Sequence, residues 1–174
     1  MIRLFASTAL CAAAFAALAS HAQAHATFET QRAPAGSDHI AVLRTPHGCG
    51  GSPTIAVKIR IPDGVTDVRP LPKTGWDVAI VREDLDEPLH DAQGNAVSTR
   101  VSEVHWTGGR LVDGHLGEFV MSVRLPDTPG ETLYFATVQE CEEGVERWIE
   151  IPAEGRPGDD LDQPAPSIVL TSPK

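Results

Sequence analysis

Short runs of alternating apolar and polar residues recur along the chain from residue 27 onwards. The clearest is 54–61, where Ile55, Val57, Ile59 and Ile61 alternate with polar or small residues. A period of two puts successive side chains on opposite faces of an extended chain, so this run predicts a strand. The same pattern, bounded by Gly and Pro, predicts further strands at 27–31, 39–45, 76–82, 100–107, 118–125, 133–139, 145–151 and 168–170.

Turn signals separate these strands. Pro34–Ser37 predicts the first turn, Pro62–Gly64 ends the run at 54–61, and Glu142–Gly144 predicts a hairpin between the strands on either side of it. The polar stretch 84–95 is expected to be a long loop. Seven or more short strands separated by turns predict an all-β fold, an antiparallel β-sandwich. We expect it to occupy 25–152, followed by a loose C-terminal tail at 153–174 with a short last strand.

The first 24 residues differ in composition from the rest. Arg3 precedes an apolar, Ala-rich stretch from Leu4 to Leu18, and Ala22-Gln23-Ala24 is a small-residue cleavage site. This arrangement predicts a secretory signal at 1–24 and a periplasmic protein. The remaining chain of about 150 residues is enough for one domain with a core. It has no later apolar stretch long enough to span a bilayer, so no membrane insertion is expected after cleavage.

Net charge narrows the class of partner, and the cysteine content predicts a cross-link within the fold. The formal net charge is −10, and loss of Arg3 with the signal makes the chain more acidic, which argues against nucleic acid and anionic membranes. Cys49 and Cys141 are the cysteines outside the signal, and in an oxidising compartment they predict one disulfide. Closing a loop of about 90 residues would stabilise the fold by roughly 3–5 kcal/mol. A thiolate metal site is the alternative.

His25 is the first candidate metal ligand. Cleavage after Ala24 would leave it with a free α-amine, and the amine and the ring Nδ1 can close on one metal ion. Amine and imidazole nitrogens suit Cu(II). Cleavage after Ala22 would instead put the histidine third from a free amine, an arrangement that captures Cu(II) through backbone amides. A histidine at this position by chance is the remaining alternative.

Hairpin geometry selects the second candidate. If the first two strands pair about the turn at Pro34–Gly36, paired positions sum to about 70, and His25 faces residues near 45, close to His47. His39 would face residues near 31, too far from His25 at about 3.3 Å per residue to share an ion. We therefore expect His47, and not His39, to be the second ligand.

The predicted disulfide brings one more candidate to this end of the fold. It would place the loop after His47 beside the hairpin that carries Trp148. An indole is a poor ligand for Cu(II), but its face can cover a cation. Glu140, next to Cys141, is a reserve ligand.

The sequence has no phosphate-binding glycine loop, no His-Glu-x-x-His and no Gly-x-Ser-x-Gly, so none of these common catalytic motifs is present.

The order and spacing of six segments resemble the YcnI family of extracytoplasmic copper-binding domains. The segments are His25–Thr27, Ala33–Ser37, Leu43–Cys49, Gly75–Trp76, Val138–Cys141 and Gly144–Glu150. The resemblance implies an immunoglobulin-like or fibronectin-like sandwich and a Cu(II) site with a single histidine brace, an acidic ligand and a nearby tryptophan. His25 matches the brace histidine and Trp148 the tryptophan.

The acidic ligand of the family has no clear counterpart. The positions where it is expected read His39 and His47-Gly48, so the chain is similar to a bacterial sub-branch with a Pro-His-Gly-Cys loop. His47 then takes that place, with His39, Glu140 or water as the remaining ligand.

Three functions are compatible with these residues. The first is a periplasmic Cu(II)-binding protein without catalysis, which takes part in copper homeostasis or hands copper to other periplasmic proteins or a membrane copper transporter. The second is a copper-dependent oxidative enzyme acting on polysaccharides, in which His25 and His47 would brace the metal. Such enzymes need a flat aromatic face to bind the polysaccharide. Because aromatic residues make up only 5% of this chain, such a face is hard to build. The third is an interaction module in which the histidine is incidental.

Overall fold

Strands from the predicted runs assemble into two larger sheets and a smaller one. The computed structural model describes residues 25–90, 96–153 and 161–173, so the predicted signal at 1–24 lies outside the described residues. The strands are β1 (Thr27–Phe28), β2 (Arg32–Pro34), β3 (Asp38–Thr45), β4 (Thr54–Arg60), β5 (Thr66–Pro70), β6 (Asp77–His90), β7 (Ala96–Leu111), β8 (Gly117–Arg124), β9 (Thr132–Tyr134), β10 (Thr137–Cys141), β11 (Val145–Trp148) and β12 (Ser167–Thr171). Within these ranges no helix is long and apolar enough to cross a membrane.

Strand pairing confirms the antiparallel β-sandwich. One sheet has the order β1-β3-β8-β5 and the second β11-β10-β4-β7-β6, while β2, β12 and β9 form the third. Neighbouring strands are antiparallel except β2 and β12, which run parallel. The predicted hairpin around Glu142–Gly144 is present as β10 and β11, but the single strand predicted at 133–139 is wrong, because that range is divided between β9 and β10 of different sheets.

The core lies between the four-stranded and five-stranded sheets. Val57 and Ile59 of β4 face it from one side, and Leu43 of β3 faces it from the other; all three are fully buried. Trp106 of β7 and Phe119 of β8 meet edge to face across the two layers, with 5.6 Å between ring centroids. Burial of side chains this large contributes about 1.5–3 kcal/mol each, which makes the inner faces the main source of stability.

The register of β1 on β3 agrees with the predicted hairpin to within one position. Thr27 faces Arg44 and Phe28 faces Leu43, so the chain before β1 runs back toward the residues that follow β3. The predicted first strand at 27–31 is wrong in its length, because β1 ends at Phe28. Residues Arg32–Pro34 form β2, which leaves this sheet and pairs with β12.

The prediction of a loop at 84–95 is wrong for residues 84–90, which belong to a strand. Residues 77–90 form β6, which pairs with β7, and 91–95 lie outside the described residues. None of residues 82–88 is buried. Residues 82–84 and 89–90 pair with β7 on either side of an irregularity and hold this arm in an extended conformation. Because none of 82–88 is buried in a core, its sequence carries no apolar alternation.

A bulge changes the phase of β4. The pairing of β4 with β7 shifts between Thr54 and Ala56, and both residues are buried while Ile55 is only half-buried. The extra residue of a bulge reverses which side chains face inward. The alternation predicted through Ile55 is therefore broken by the bulge, whereas Val57 and Ile59 keep the period of two and are buried.

The C-terminal strand belongs to the sandwich. The predicted short last strand is present as β12, which lies between β2 and β9. Its Ile168 and Leu170 are buried in the core. The backbone N–H of Ala165 donates to the carbonyl of Glu150, so the chain just before β12 packs against the end of the β10–β11 hairpin. The segment 154–160, in the stretch predicted to be loose, lies outside the described residues.

Candidate metal centre

Two predicted ligands meet at the predicted tryptophan. The ring centroid of His25 lies 6.0 Å from that of Trp148, and the centroid of His47 lies 6.2 Å from it. His25 precedes β1, His47 follows β3, and Trp148 is the last residue of β11. The β1–β3 register brings the two histidines to one end of the sandwich, and the β10–β11 hairpin brings the indole there. Trp148 is 3% exposed, and both imidazoles are half-buried.

The loop that carries His47 is tightly confined. Gly48 has no room for a side chain, because a Cβ there would lie 2.0 Å from the carbonyl oxygen of Ser52. Its backbone N–H donates to Oδ1 of Asp113, from the turn between β7 and β8, at 2.9 Å. Nδ1 of His47 lies 2.5 Å from the Gly48 carbonyl oxygen. A carbonyl only accepts, so Nδ1 carries the proton and the lone pair of the neutral ring is on Nε2.

The predicted disulfide is present between Cys49 and Cys141. The two Cα atoms are 5.9 Å apart, and both residues are buried. Directly after Cys49 the chain reverses through Gly50 and Gly51, whose φ angles of +58° and +96° suit glycine in a two-residue turn. The bridge thus attaches the loop after His47 to the end of β10.

Gln139 joins these elements, and like Asp113 it is a residue of the centre that sequence reasoning missed. Its Nε2 donates to the carbonyl oxygen of His47 at 2.6 Å and to Oγ1 of Thr54 at 2.7 Å. Its Oε1 accepts from Nε1 of Trp148 at 3.1 Å. The side chain is fully buried. The available signal was its position on the inward face of β10, two residues before Cys141, where an apolar residue is the usual choice.

The other residues that sequence analysis considered as ligands lie elsewhere. His39 is at the opposite end of β3, where it faces Val123 of β8. Glu140 points to the outer face of the sheet and pairs with Lys58, at 2.5 Å from Nζ to Oε1. The structure therefore brings together His25, His47 and Trp148, and it separates His39 from them.

The donor chemistry of the centre fits copper. In the ranges that the structure describes, no group of three or more His, Cys, Asp or Glu side chains has the geometry of a metal site. The centre offers two imidazoles, and a third nitrogen would become available only if cleavage turned the backbone N of His25 into an amine. An amine and two imidazoles, completed by an oxygen, would be donors of the kind that Cu(II) takes in tetragonal sites.

Comparisons with known proteins give a family and a fold. A family model described as a domain of unknown function (DUF1775) matches residues 25–170. A crystal structure of an uncharacterized protein from Nocardia farcinica, described as revealing an immunoglobulin-like fold, aligns with a TM-score of 0.64 at 24% identity. The alignment covers 85% of this chain and 99% of that one. This likeness confirms the immunoglobulin-like fold. No curated protein matches the chain.

Proposed function

The chain belongs to the DUF1775 family, which includes YcnI-like proteins, and we propose that it is a periplasmic protein that binds one Cu(II) ion at His25. Its role would be to buffer copper or to hand it to other periplasmic copper proteins or a membrane copper transporter. The observation that carries the proposal is that His25 and His47, 22 positions apart in the sequence, lie with their rings against the same buried indole.

Each residue of the centre has a distinct part in this proposal. His25 supplies its α-amine and Nδ1 as a chelate, and His47 supplies Nε2, since its Nδ1 is committed to the Gly48 carbonyl. Trp148 covers the site and limits the access of reductants and water to it. A water molecule or a carboxylate oxygen completes the set. The family match begins at residue 25, the residue that signal cleavage would expose, which also supports the proposal.

The distribution of aromatic side chains favours a binding protein over a polysaccharide-oxidising enzyme. Among the described residues, each aromatic side chain is buried or half-buried: Phe28, Trp76, Trp106, Phe119, Tyr134, Phe135 and Trp148. An enzyme that oxidises chitin or cellulose at a surface site needs an exposed aromatic face to hold the substrate. Peroxide-driven oxidation of either polymer by the copper-loaded protein would overturn the non-catalytic role.

The decisive experiment compares two N-termini. Protein beginning at His25 should bind one Cu(II) at least about tenfold more tightly than protein with one extra alanine in front, because the extension moves the amine away from the ring. Equal affinity would refute the brace. If mass spectrometry of exported protein finds Gln23 first, the amide-chelate arrangement replaces it.

Fluorescence supplies a second readout on the same samples. Cu(II) should quench the emission of Trp148, which lies beside both imidazoles, more than that of Trp76 and Trp106. Trp148→Phe is the matched control, because it should retain most of the affinity and lose most of the quenching. Absence of any Cu(II) binding by the protein that begins at His25 would favour the interaction module.

A further inference from the structure

We propose that Gln139 is a positioning residue of this centre, whose buried amide fixes Trp148 and the His47 loop relative to each other before any metal binds. The inference rests on the proposed function only where it predicts an effect on copper affinity. The arrangement itself is a property of the metal-free protein, and it can be tested in that state.

The orientation of the Gln139 amide is determined by its partners. An indole N–H can only donate, so the atom facing Nε1 of Trp148 must be the amide oxygen. A backbone carbonyl can only accept, so the atom facing the His47 oxygen must be the amide nitrogen. Turning the amide by 180° would oppose two donors at the tryptophan and two acceptors at the loop. Each partner therefore holds the amide in the orientation that the other requires.

The amide connects elements that backbone pairing alone does not join. β10 pairs with β4 on one side and β11 on the other, so backbone pairing fixes the positions of the Cα atoms of Gln139 and Trp148. The loop after β3 crosses to β4 in this sheet, and its end is bonded to the turn after β10, where the backbone N–H of Glu142 donates to the carbonyl of Pro53. Its first part, from His47 to Cys49, is attached to β10 by the Cys49–Cys141 bridge and by the Gln139 amide. The bridge restrains the backbone of the loop, and the amide ties the carbonyl of His47 to the tryptophan ring.

Loss of this amide should loosen the centre without removing a metal donor. Gln139→Met keeps the length of the side chain but leaves the indole N–H, the His47 carbonyl and the Thr54 hydroxyl without the partner they have in the wild type. We expect the indole N–H of Trp148 to exchange with solvent at least about tenfold faster in the metal-free variant. Cu(II) affinity should fall by about tenfold, the lower end of the effect seen when a partner of a metal ligand is removed.

A double-mutant cycle separates positioning from a general loss of stability. If Gln139 acts through the indole N–H, Trp148→Phe should speed backbone amide exchange at Gly48 in metal-free protein much less in the Gln139→Met background than in the wild type, since Phe has no N–H to hold. Additive increases in exchange rate in the two backgrounds would refute the proposal. Ser102→Ala is the control: Ser102 is a buried polar residue on β7 of the same sheet, bonded to Val81, and its loss should change neither exchange nor affinity.

The wild-type protein gives a test that needs no variant to fold. In metal-free protein, the side-chain amide protons of Gln139 should exchange with solvent far more slowly than those of the exposed Gln31. Equal exchange rates would overturn the proposal whatever the copper data show. Slow exchange in a protein that fails to bind Cu(II) would leave the positioning role standing and refute the proposed function instead.

Discussion

The two ends of β3 each carry a histidine, and the two surroundings differ. At one end His47 lies in a loop held by Asp113, the disulfide and Gln139, with an indole against its ring. At the other end His39 lies half-buried opposite Val123, and among the described residues its Nε2 has no hydrogen-bond partner. Burial without compensating bonds lowers the pKa of His39, because the charged ring loses hydration.

The difference shows that residue type and strand position do not by themselves identify a ligand. Both histidines are close in sequence to β3, and either one stands where the YcnI resemblance expects an acidic ligand. What separates them is the register of β1, which brings His25 to one end of the strand only. A ring with its tautomer fixed by a carbonyl can present Nε2 to a metal, whereas a ring whose Nε2 is buried without a partner is favoured in its neutral form.

The largest expected effect comes from opening the disulfide at the His47 end. Replacing Cys49 and Cys141 together by serine should lower the free energy of unfolding by roughly 3–5 kcal/mol, because the bridge spans 92 positions. Urea unfolding followed by tryptophan fluorescence measures the loss, and Cu(II) affinity should fall with it. Thiol labelling of denatured, unreduced wild type should find no free cysteine at 49 or 141. If the double variant loses less than about 1 kcal/mol of unfolding free energy, backbone pairing between the strands alone holds this end of the fold.

Removing each histidine in turn tests the comparison directly. His47→Ala should weaken Cu(II) binding by at least about tenfold, or about 1.4 kcal/mol, and change the electron paramagnetic resonance spectrum through loss of one nitrogen donor. His39→Ala is the matched variant and should leave both unchanged. The reverse result, with copper lost on replacing His39, would mean that the β1–β3 register does not govern the site.

A smaller effect is expected from the protonation of His39. Its folded pKa lies below the unfolded value of 6.5, so below that pH the unfolded chain holds more protons than the folded one. The stability contribution is complete above pH 6.5 and is lost as the pH falls from there through the lowered pKa. His39→Leu should therefore flatten the acid side of the stability profile, measured as urea midpoints from pH 8 to pH 5. An unchanged slope would place the proton uptake at another group.

The smallest effect is expected at Thr45, the last residue of β3 before the His47 loop. Thr45 is fully buried, and within the described part of the chain its hydroxyl has no hydrogen-bond partner. Thr45→Val replaces that hydroxyl by a methyl group of similar shape, so the free energy of unfolding should stay the same or rise by less than about 1 kcal/mol. Thermal unfolding measures it. A clear destabilisation would reveal a partner for the hydroxyl, such as an ordered water at the edge of the centre.

Local pattern was enough to predict the parts of the fold in which one strand face is buried. The alternation in β8 and from Val57 onward in β4, the turn after Cys141 and the last strand were all predicted from neighbouring residues, and the structure has them. Two cysteines outside the predicted signal indicated the bridge, and a symmetric hairpin predicted the β1–β3 register to within one position. These inferences succeed because side-chain period and turn chemistry are local properties.

The tertiary structure alone decided the rest. The arm of β6 is extended although its sequence is polar, because its stability comes from pairing with β7 and not from burial of a face. The chain leaves the four-stranded sheet after β1, and the next strand, β2, pairs with β12, more than 130 positions away in the sequence. No local pattern predicts this pairing. Asp113 and Gln139 belong to the centre only because strands distant in sequence meet there. A hydrogen bond between remote residues depends on the packing of two sheets, and for that reason the sequence predicted the rings of the centre but not the amide and carboxylate that hold them.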